Sequence, residues 1–420
     1  MILTVALIAL FIYSIPKLGL LPLAPRFILL GGGLFLLIQY KDRFIEALSH
    51  FFVPLYFYFL VVGLLGLINL QLRDILIPLE AVLSFSLIFV VLNLGMVKAV
   101  VLTRAVALII LLSVLWFFAS LVLGGVFMQG RYYLYSGELS KYLIGDVELE
   151  RATGLALMHV NMGYQICLGL TLSIFLYLAE NRIWKKFWLV ITIVMIAGLI
   201  YVAQRSTIPA VASVCVLAAL LGRKWKNLIL ITGLLSLSCV IIFFAADFEW
   251  GKVNLQSRVE NVADTHARIG WQIAALKVIA SSPMGNLSGG LNWEERSVEM
   301  GADYSYYGWD IKAVHNSYLG RVINYGWGAG LLILFVSYLF YRHVAKPILS
   351  TQYSDSKYKL YAESSVYAFI ALSVQALFHN ASMYTLEPAS WVAFSLSCAW
   401  AALLKKESLH GCNGALNARG

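Results

Sequence analysis

Long runs of apolar residues without charge limit the folds open to this chain more than any other feature. The run Ile229–Ala246 contains almost no polar side chain, and similar runs recur along the sequence. A bilayer core roughly 30 Å thick is crossed by about 20 apolar residues in a helix. The runs do not alternate apolar and polar residues, as the strands of a transmembrane barrel do. They therefore predict an all-α polytopic membrane protein.

The composition agrees with that prediction. Apolar residues make up 60% of the 420 residues and charged residues only 13%, which is too little charge to cover a soluble protein of this length. The cysteines have no metal-like spacing, so we predict neither a disulfide framework nor a metal site. The apolar N-terminal segment lacks a convincing cleavage site, and we expect it to be an uncleaved first helix.

The apolar runs divide the chain into about twelve predicted transmembrane helices. Eleven is the alternative, because the first, seventh and eighth runs are short. We predict N-terminal helices in 1–127, central helices in 128–246, one large outer loop in 247–315, and C-terminal helices with a tail in 316–420. The predicted spans lie at approximately 2–15, 24–40, 51–71, 75–96, 105–127, 156–180, 187–204, 208–222, 227–246, 316–341, 361–384 and 388–404.

The basic residues predict the orientation of the helices. A net charge of +9 could suggest nucleic acid, but the basic residues occur in short clusters between apolar runs, which is typical of cytoplasmic loops. We therefore expect no nucleic-acid partner, and we place both termini in the cytoplasm. The clusters follow the sixth, eighth, tenth and last predicted spans, and all fall on one side: Arg182, Lys185 and Lys186; Arg223, Lys224 and Lys226; Arg342, Lys346, Lys357 and Lys359; Lys405 and Lys406.

Three segments then face outward. They are the segment 128–155, which is rich in tyrosine and acidic residues, the tight turn Gln204–Thr207, and the large loop 247–315. Within that loop the stretch Arg268–Ser281 has apolar residues at helical spacing, and the turn residues after it, Pro283–Asn286, end the predicted helix. The apolar residues of this predicted helix are Trp271, Ala274, Leu276 and Ile279.

Two arginines on the outward side invite a chemical interpretation. Arg205 interrupts two apolar spans, and it either reaches the lipid headgroups or binds an anion. Arg268 opens the predicted loop helix, where the helix dipole favours anions rather than cations. It is either an ordinary surface arginine or a phosphate contact acting together with the helix N-terminus.

Histidine and asparagine residues mark the places where outer segments enter the membrane. His315 precedes Asn316 at the end of the large loop, and histidine is suited to proton transfer near neutral pH. Arg321 follows in the same predicted helix, where an ion pair with an acid such as Glu80 is the alternative to a functional role. Polar pairs of this kind either satisfy one another or line a cavity. Similar pairs are His159 with Asn161 and His379 with Asn380, and Gly326, Gly328 and Gly330 are expected to permit close helix packing.

Motifs for nucleotides and metals are absent from the sequence. No Walker loop, no GxGxxG after a strand, no Asp-x-Asp in an outer loop and no GxSxG elbow occurs. We therefore expect neither nucleotide use nor metal catalysis, and no cofactor.

The order of these motifs resembles the superfamily of O-antigen ligases and polymerases over about residues 150–400. The ligase signature of His, Asn, nine residues and Gly is matched by His315, Asn316 and Gly326, although Ala329 departs from its last position. The pair Arg205–Ser206 resembles the short outer turn of the family. The segment from Arg268 to Trp271, followed by Pro283–Gly285, is similar to the family's Arg, Trp, Pro and Gly pattern with spacings one residue shorter.

The resemblance implies a helical glycosyltransferase fold of the GT-C type in the bacterial inner membrane. Such enzymes take a glycan from undecaprenyl diphosphate at the periplasmic face, without metal, and invert the anomeric centre. The resemblance implies that Arg205 and Arg268 stabilise the diphosphate and that His315 acts as base or orients the acceptor. It places Arg321, Asn316, Tyr318, Asn161 and His159 in substrate binding. The outer-loop aromatic residues either stack on sugar rings or belong to an interfacial belt or the core of the loop: Trp293, Tyr304, Tyr306, Tyr307 and Trp309.

The acceptor and the class of protein have alternatives. A ligase transfers the glycan to lipid A–core, and a polymerase transfers it to a second lipid-linked repeat unit. A lipid-linked oligosaccharide flippase would also have about twelve spans, but transporters usually contain two related halves with a site at the midplane. The two halves of this chain look unrelated, and its candidate residues cluster at one face. We therefore expect the enzyme.

Overall fold

The computed structural model shows a bundle of long helices with one small hairpin. It describes residues 2–12, 31, 35, 52–68, 72–123, 141–144, 147–150, 159–202, 206–221, 233, 262–288, 291–304, 314–354 and 356–417. The predicted spans 24–40 and 227–246 lie almost wholly outside these residues, and Arg205 lies outside them too.

Within these ranges we label twelve helices, α1–α12, and two strands, β1 and β2, in chain order. A π-helical turn, Tyr341–Ala345, and a short helix, Lys346–Leu349, continue the tenth helix. The elements are α1 (Ile2–Ile12), α2 (Phe52–Ile68), α3 (Leu72–Leu92), α4 (Met96–Leu123), β1 (Lys141–Ile144), β2 (Val147–Glu150), α5 (His159–Ala179), α6 (Arg182–Val202), α7 (Thr207–Leu220), α8 (Val262–Ser281), α9 (Trp293–Glu299), α10 (Ser317–Phe340), α11 (Lys359–Gln375) and α12 (Pro388–Asn417).

The described part of the chain is a helical membrane protein. Five helices are long and apolar enough to cross a bilayer, and two shorter apolar helices accompany them, Val53–Ile68 and Thr207–Leu220. Leu112, Leu331 and Leu334 are more than half exposed, as side chains that meet lipid would be. The total of twelve spans stays a prediction. The five long segments are Asp74–Leu92, Met96–Ala119, Asn161–Ala179, Ser317–Leu349 and Lys359–Phe378.

Helix α5 lies at the centre of the bundle. Its residues from Met162 to Leu176 are all buried, and α4, α6, α7, α11 and α12 pack around it. Glycines allow α4 to approach its neighbours closely. A Cβ atom on Gly169 would lie 2.7 Å from the side chain of Ile110, and one on Gly198 would lie 2.7 Å from Val114. The inner helix faces are therefore fixed by small residues as well as by apolar burial.

One end of the bundle contains a charged cluster. The Nε atom of Arg104 on α4 donates to Glu180, which follows α5, at 2.6 Å. The same guanidinium lies over the rings of Trp184 and Tyr361, 5.7 and 5.8 Å from their centroids. Glu180 is almost buried, so the pair ties α4, α5, α6 and α11 together at this end. This is the end that the basic clusters assign to the cytoplasm, and the side it faces remains a prediction.

The opposite end, here called the outer end, joins the starts of three helices. Thr207 at the start of α7 donates to the carbonyl of Gly163 on α5 at 3.4 Å. Ser317 at the start of α10 donates to Ser382, between α11 and α12, at 2.6 Å. The hydroxyl of Tyr164 donates to the carbonyl of Ala381. The starts of α5, α7 and α10, which follow the three segments predicted to face outward, therefore lie at the same end of the bundle.

The large loop contributes two helices, α8 and α9. Helix α8 begins six residues before the predicted start at Arg268 and ends at Ser281, as predicted. The buried face of the helix runs through Trp271, Ala274, Ala275 and Val278, whereas Leu276 is 55% exposed. The helix therefore turns that face toward α10 and the rest of the loop.

The segment 128–155 contains the one departure from helix among the described elements. Strand β1 pairs antiparallel with β2, with Ile144 opposite Val147 and Lys141 opposite Glu150. The all-α prediction did not include this hairpin. The two strands are joined by the dipeptide Gly145–Asp146, and a two-residue connection of this type favours a hairpin turn.

Candidate functional site

The candidate site is built around the first residues of α10. Asn316 caps the helix: its Oδ1 atom accepts from the backbone N–H groups of Tyr318 and Leu319, each at 3.1 Å. These donors have no carbonyl partner inside the helix, so the cap stabilises its start. His315 precedes the cap with φ of 50°, a left-handed conformation that is uncommon outside glycine. The cap therefore fixes the backbone from which His315 projects.

Trp271 on α8 forms an aromatic layer with the histidine. The rings of Trp271 and His315 are stacked, with centroids 5.3 Å apart and planes inclined by 27°. Trp271 also stacks with Tyr304 at 5.1 Å, and its Nε1 atom donates to the carbonyl of Asp303 at 2.7 Å. The indole is thus held in place by the loop, and it places His315 against α8.

The electrostatic surroundings keep this imidazole neutral. Burial, and to a smaller extent the positive charge of Arg268, lowers the pKa of His315 from 6.5 to about 3. Its Nδ1 atom is buried and has no hydrogen-bond partner among the described residues. The site therefore offers a neutral imidazole with an unused ring nitrogen, beside an arginine one helical turn from Trp271.

Arg321 faces a different side of α10. It donates to the hydroxyl of Tyr325 at 3.4 Å and lies over that ring, 5.7 Å from its centroid. The charge of Arg321 also acts on the hydroxyl of Tyr58 on α2, and the charge of Asp74 on α3 acts on both tyrosines. Among the described residues, the hydrogen bond and the ring contact of Arg321 are with Tyr325. The ion pair with an acid such as Glu80, the alternative raised from the sequence, stays a prediction.

The other predicted residues occupy separate positions at the outer end. Tyr318 donates to the carbonyl of Ser373 at 3.1 Å, which attaches α10 to α11. Asn161 is half-buried near the start of α5. His159 begins α5, but its side chain lies outside the described residues, as does the whole of Arg205. The structure thus brings Arg268 and His315 together and leaves Arg321 and Tyr318 on other faces of α10.

The three glycines of α10 differ in their surroundings. Gly326 interrupts the helix with φ of 77° and ψ of −175°, and its backbone contacts the turn after α8. Of the atoms that the structure describes, a Cβ atom on Gly328 would meet none within 4 Å, and one on Gly330 would meet Val322 of the same helix. Gly326 therefore creates a helix break where the loop docks, and the packing of Gly328 and Gly330 against another transmembrane helix stays a prediction.

The aromatic residues of the loop are partly described. Tyr304 is engaged with Trp271, and Trp293 is half-buried with an Nε1 atom that has no hydrogen-bond partner in the described chain. Tyr306, Tyr307 and Trp309 lie outside the described residues. Whether any of them stacks on a sugar stays a prediction.

Two groups of site residues were missed by the sequence prediction. Trp271 was assigned only to a motif, although its spacing of three residues from Arg268 puts both on one helix face. Tyr58 and Asp74 come from the N-terminal helices, and no local pattern links them to Arg321. Their role depends on the packing of α2 and α3 against α10.

Comparison with known proteins does not assign the chain to a family. No protein-family model matches the chain, and no curated protein shows significant similarity to it. Within the described ranges, no three His, Cys, Asp or Glu side chains could together hold a metal ion. The fold and the site define a helical membrane protein in which an indole stacks on a neutral imidazole, with an arginine one helical turn away from the indole, at one end of the bundle.

Proposed function

We propose that the chain transfers a glycan from undecaprenyl diphosphate to lipid A–core at the periplasmic face of the bacterial inner membrane, as an O-antigen ligase. One observation carries the proposal: Trp271, one helical turn after Arg268 on α8, stacks on His315 with ring centroids 5.3 Å apart, so that two separate motifs meet. They do so at the outer end of the bundle, where a lipid headgroup and an extramembrane acceptor can meet.

Arg268 is suited to the donor. When the bond between the anomeric carbon and the diphosphate oxygen breaks, negative charge develops on the leaving phosphate. A guanidinium group in a partly buried site stabilises such charge through paired N–H donors. Arg205 is the proposed second contact, and Arg321 the third, from the other side of α10.

His315 is suited to the acceptor. The acceptor hydroxyl oxygen forms the new bond to the anomeric carbon, the diphosphate departs with the bonding electrons, and the hydroxyl loses its proton. A neutral imidazole accepts the hydrogen bond that orients this hydroxyl. Because its pKa is low, His315 is a weak base. We propose that it orients the hydroxyl, and that the proton of the hydroxyl ends on an oxygen of the departing diphosphate.

The second candidate is a polymerase that uses the same donor. Its acceptor is a lipid-linked repeat unit, and the chemistry at Arg268 and His315 is unchanged. The observation that favours it is Ala329, which departs from the last position of the ligase signature. The acceptor therefore has to be identified by product analysis.

The test is complementation of a strain that lacks the gene. Arg205→Ala, Arg268→Ala and His315→Ala are compared with the wild type at matched membrane expression, and surface glycan is read on a gel. Arg296→Ala is the arginine control, because Arg296 is an exposed residue of the same loop that pairs with Glu299. We expect the three site variants to lose the product and the control to retain it.

The products separate the candidate functions. In strains that carry an inactive variant, accumulation of lipid-linked polymer beside bare lipid A–core indicates that a ligase has been lost. Cores capped with single repeats indicate that a polymerase has been lost. A normal ladder in all three site variants would remove the assigned chemistry and favour the flippase.

A further inference from the structure

The break in α10 and the turn after α8 share hydrogen bonds. The N–H group of Trp327 donates to the carbonyl of Pro283 at 2.8 Å instead of continuing the helix. The indole Nε1 atom of Trp327 donates to the carbonyl of Ile279 on α8, also at 2.8 Å. The turn therefore satisfies the group that the break at Gly326 exposes, and α8 is attached to α10 by two bonds from one residue.

Two glycines make this contact possible. Gly285 and Gly326 both have positive φ, 59° and 77°. A Cβ atom on Gly285 would lie 2.6 Å from the nitrogen of Gly326, and one on Gly326 would lie 2.7 Å from the oxygen of Pro283. Both the conformation and the space therefore require glycine. We call the contact of Pro283–Gly285 with Gly326–Trp327 the glycine interlock.

The interlock and the candidate site lie on the same pair of helices. Arg268 and Trp271 lie several turns before the interlock on α8, and His315 lies about three turns before it on α10. Between the two places, Ala275 packs with Val314 and Ile323 in a small apolar cluster. Because the cap fixes the start of α10, the attachment at Gly326 determines how α8 presents its side chains to His315.

We propose that the glycine interlock holds Arg268 and Trp271 against His315, and that Gly285, Gly326 and Trp327 are positioning residues for the transfer reaction. The catalytic part of this role rests on the proposed function, whereas the geometric part does not. A displacement of about 1 Å at a reacting group costs about 100-fold in rate, so the interlock is expected to govern turnover without binding substrate.

The geometric part is tested with diethyl pyrocarbonate, which acylates neutral imidazoles. The full-length protein in detergent is treated with the reagent, and mass spectrometry follows the peptide that contains His315. We expect Gly285→Ala and Gly326→Ala to raise the acylation rate of His315 at least fivefold, because the shield of Trp271 is displaced. Trp327→Phe, which loses only the indole donor, should raise it by a smaller factor. Gly328→Ala is the matched control, because its Cβ atom meets nothing within 4 Å, and it should behave as the wild type.

The catalytic part is tested by turnover with a lipid-diphosphate glycan donor. The two interlock alanines should lower kcat at least tenfold and leave KM for the donor within twofold, since no substrate contact is removed. His315 acylation that is unchanged in both alanine variants and in Trp327→Phe would overturn the proposal. Normal turnover in variants whose His315 is acylated faster would also overturn the proposal, provided that His315→Gln is inactive. If His315→Gln is active, the proposed function fails, and the acylation rates still decide the geometric part.

Discussion

Replacing Arg268 by glutamine tests how the protein keeps His315 neutral. Two causes lower the pKa of His315 from 6.5 to about 3, and burial is the larger of them. The displacement corresponds to about 5 kcal/mol against the charged imidazole. Because the charge of Arg268 supplies the smaller part, Arg268→Gln should raise the pKa of His315 to no more than about 5. Trp271→Leu removes the stacked indole and exposes the imidazole to water. It should raise the pKa of His315 above its value in Arg268→Gln.

The assay is hydrogen–deuterium exchange at the imidazole C2 position, read by mass spectrometry as a function of pH. Arg296→Gln is the control and should leave the pKa of His315 at about 3. Because the folded pKa lies below the ordinary value, His315 remains neutral from pH 5 to 8, and transfer activity should show no acid limb from it in this range. A wild-type pKa near 6.5, or a full return to 6.5 in Arg268→Gln, would refute the reasoning.

Substitutions at three further residues test the surrounding structure through thermal unfolding in detergent. Asn316→Ala should lower the free energy of unfolding by about 1 kcal/mol, whereas Asn316→Asp should retain the cap. Equal stability of the wild type and both variants would argue against a stabilising cap. Glu180→Gln should destabilise by about 2 kcal/mol, because it leaves the partly buried Arg104 without its carboxylate; an unchanged midpoint would mean that the pair contributes nothing. Burial raises the pKa of Glu387 from 4.5 to about 7, so the folded state holds the proton and stability should fall as pH rises from about 4.5 to 7. Glu387→Gln should abolish up to about 3 kcal/mol of this fall, and an identical pH dependence in both proteins would contradict the assignment.

Much of the helical fold could be predicted from the sequence, because apolar burial in a bilayer requires long, uniform runs. Helix α10 begins at Ser317, one residue after its predicted start at 316, and the sequence His315–Asn316 contains the residue that caps it. The proximity of Arg268 and His315 was expected only through a resemblance. Its physical basis is the stack with Trp271, which forms across the loop and has no local signature.

The break at Gly326 shows why the remaining features were not predictable. Glycines in an apolar helix indicate close packing of neighbouring helices, and the sequence does not say which of them adopts positive φ. Gly326 does so because the turn at Pro283 supplies the hydrogen-bond acceptor for Trp327, and that contact is distant in sequence. The surroundings of Arg321 depend in the same way on Tyr58, which belongs to another part of the chain.

The hairpin is a different case, since its signal was local. The strands Lys141–Ile144 and Val147–Glu150 are separated by two residues, Gly145 and Asp146. That spacing and composition favour a tight hairpin, but the segment 128–155 was predicted only as an outer loop between spans. Short extramembrane segments therefore have to be considered separately from the spans.

The most direct measurement of the central claim is transfer by the purified protein in liposomes. Undecaprenyl diphosphate carrying a glycan is supplied with lipid A–core, and release of free undecaprenyl diphosphate is followed. The account predicts release that depends on the acceptor, at least a 100-fold loss in Arg268→Gln and His315→Gln, and normal rates in Arg296→Gln. Equal rates in all four proteins, or no release by the wild type with either lipid A–core or a lipid-linked repeat unit, would contradict it.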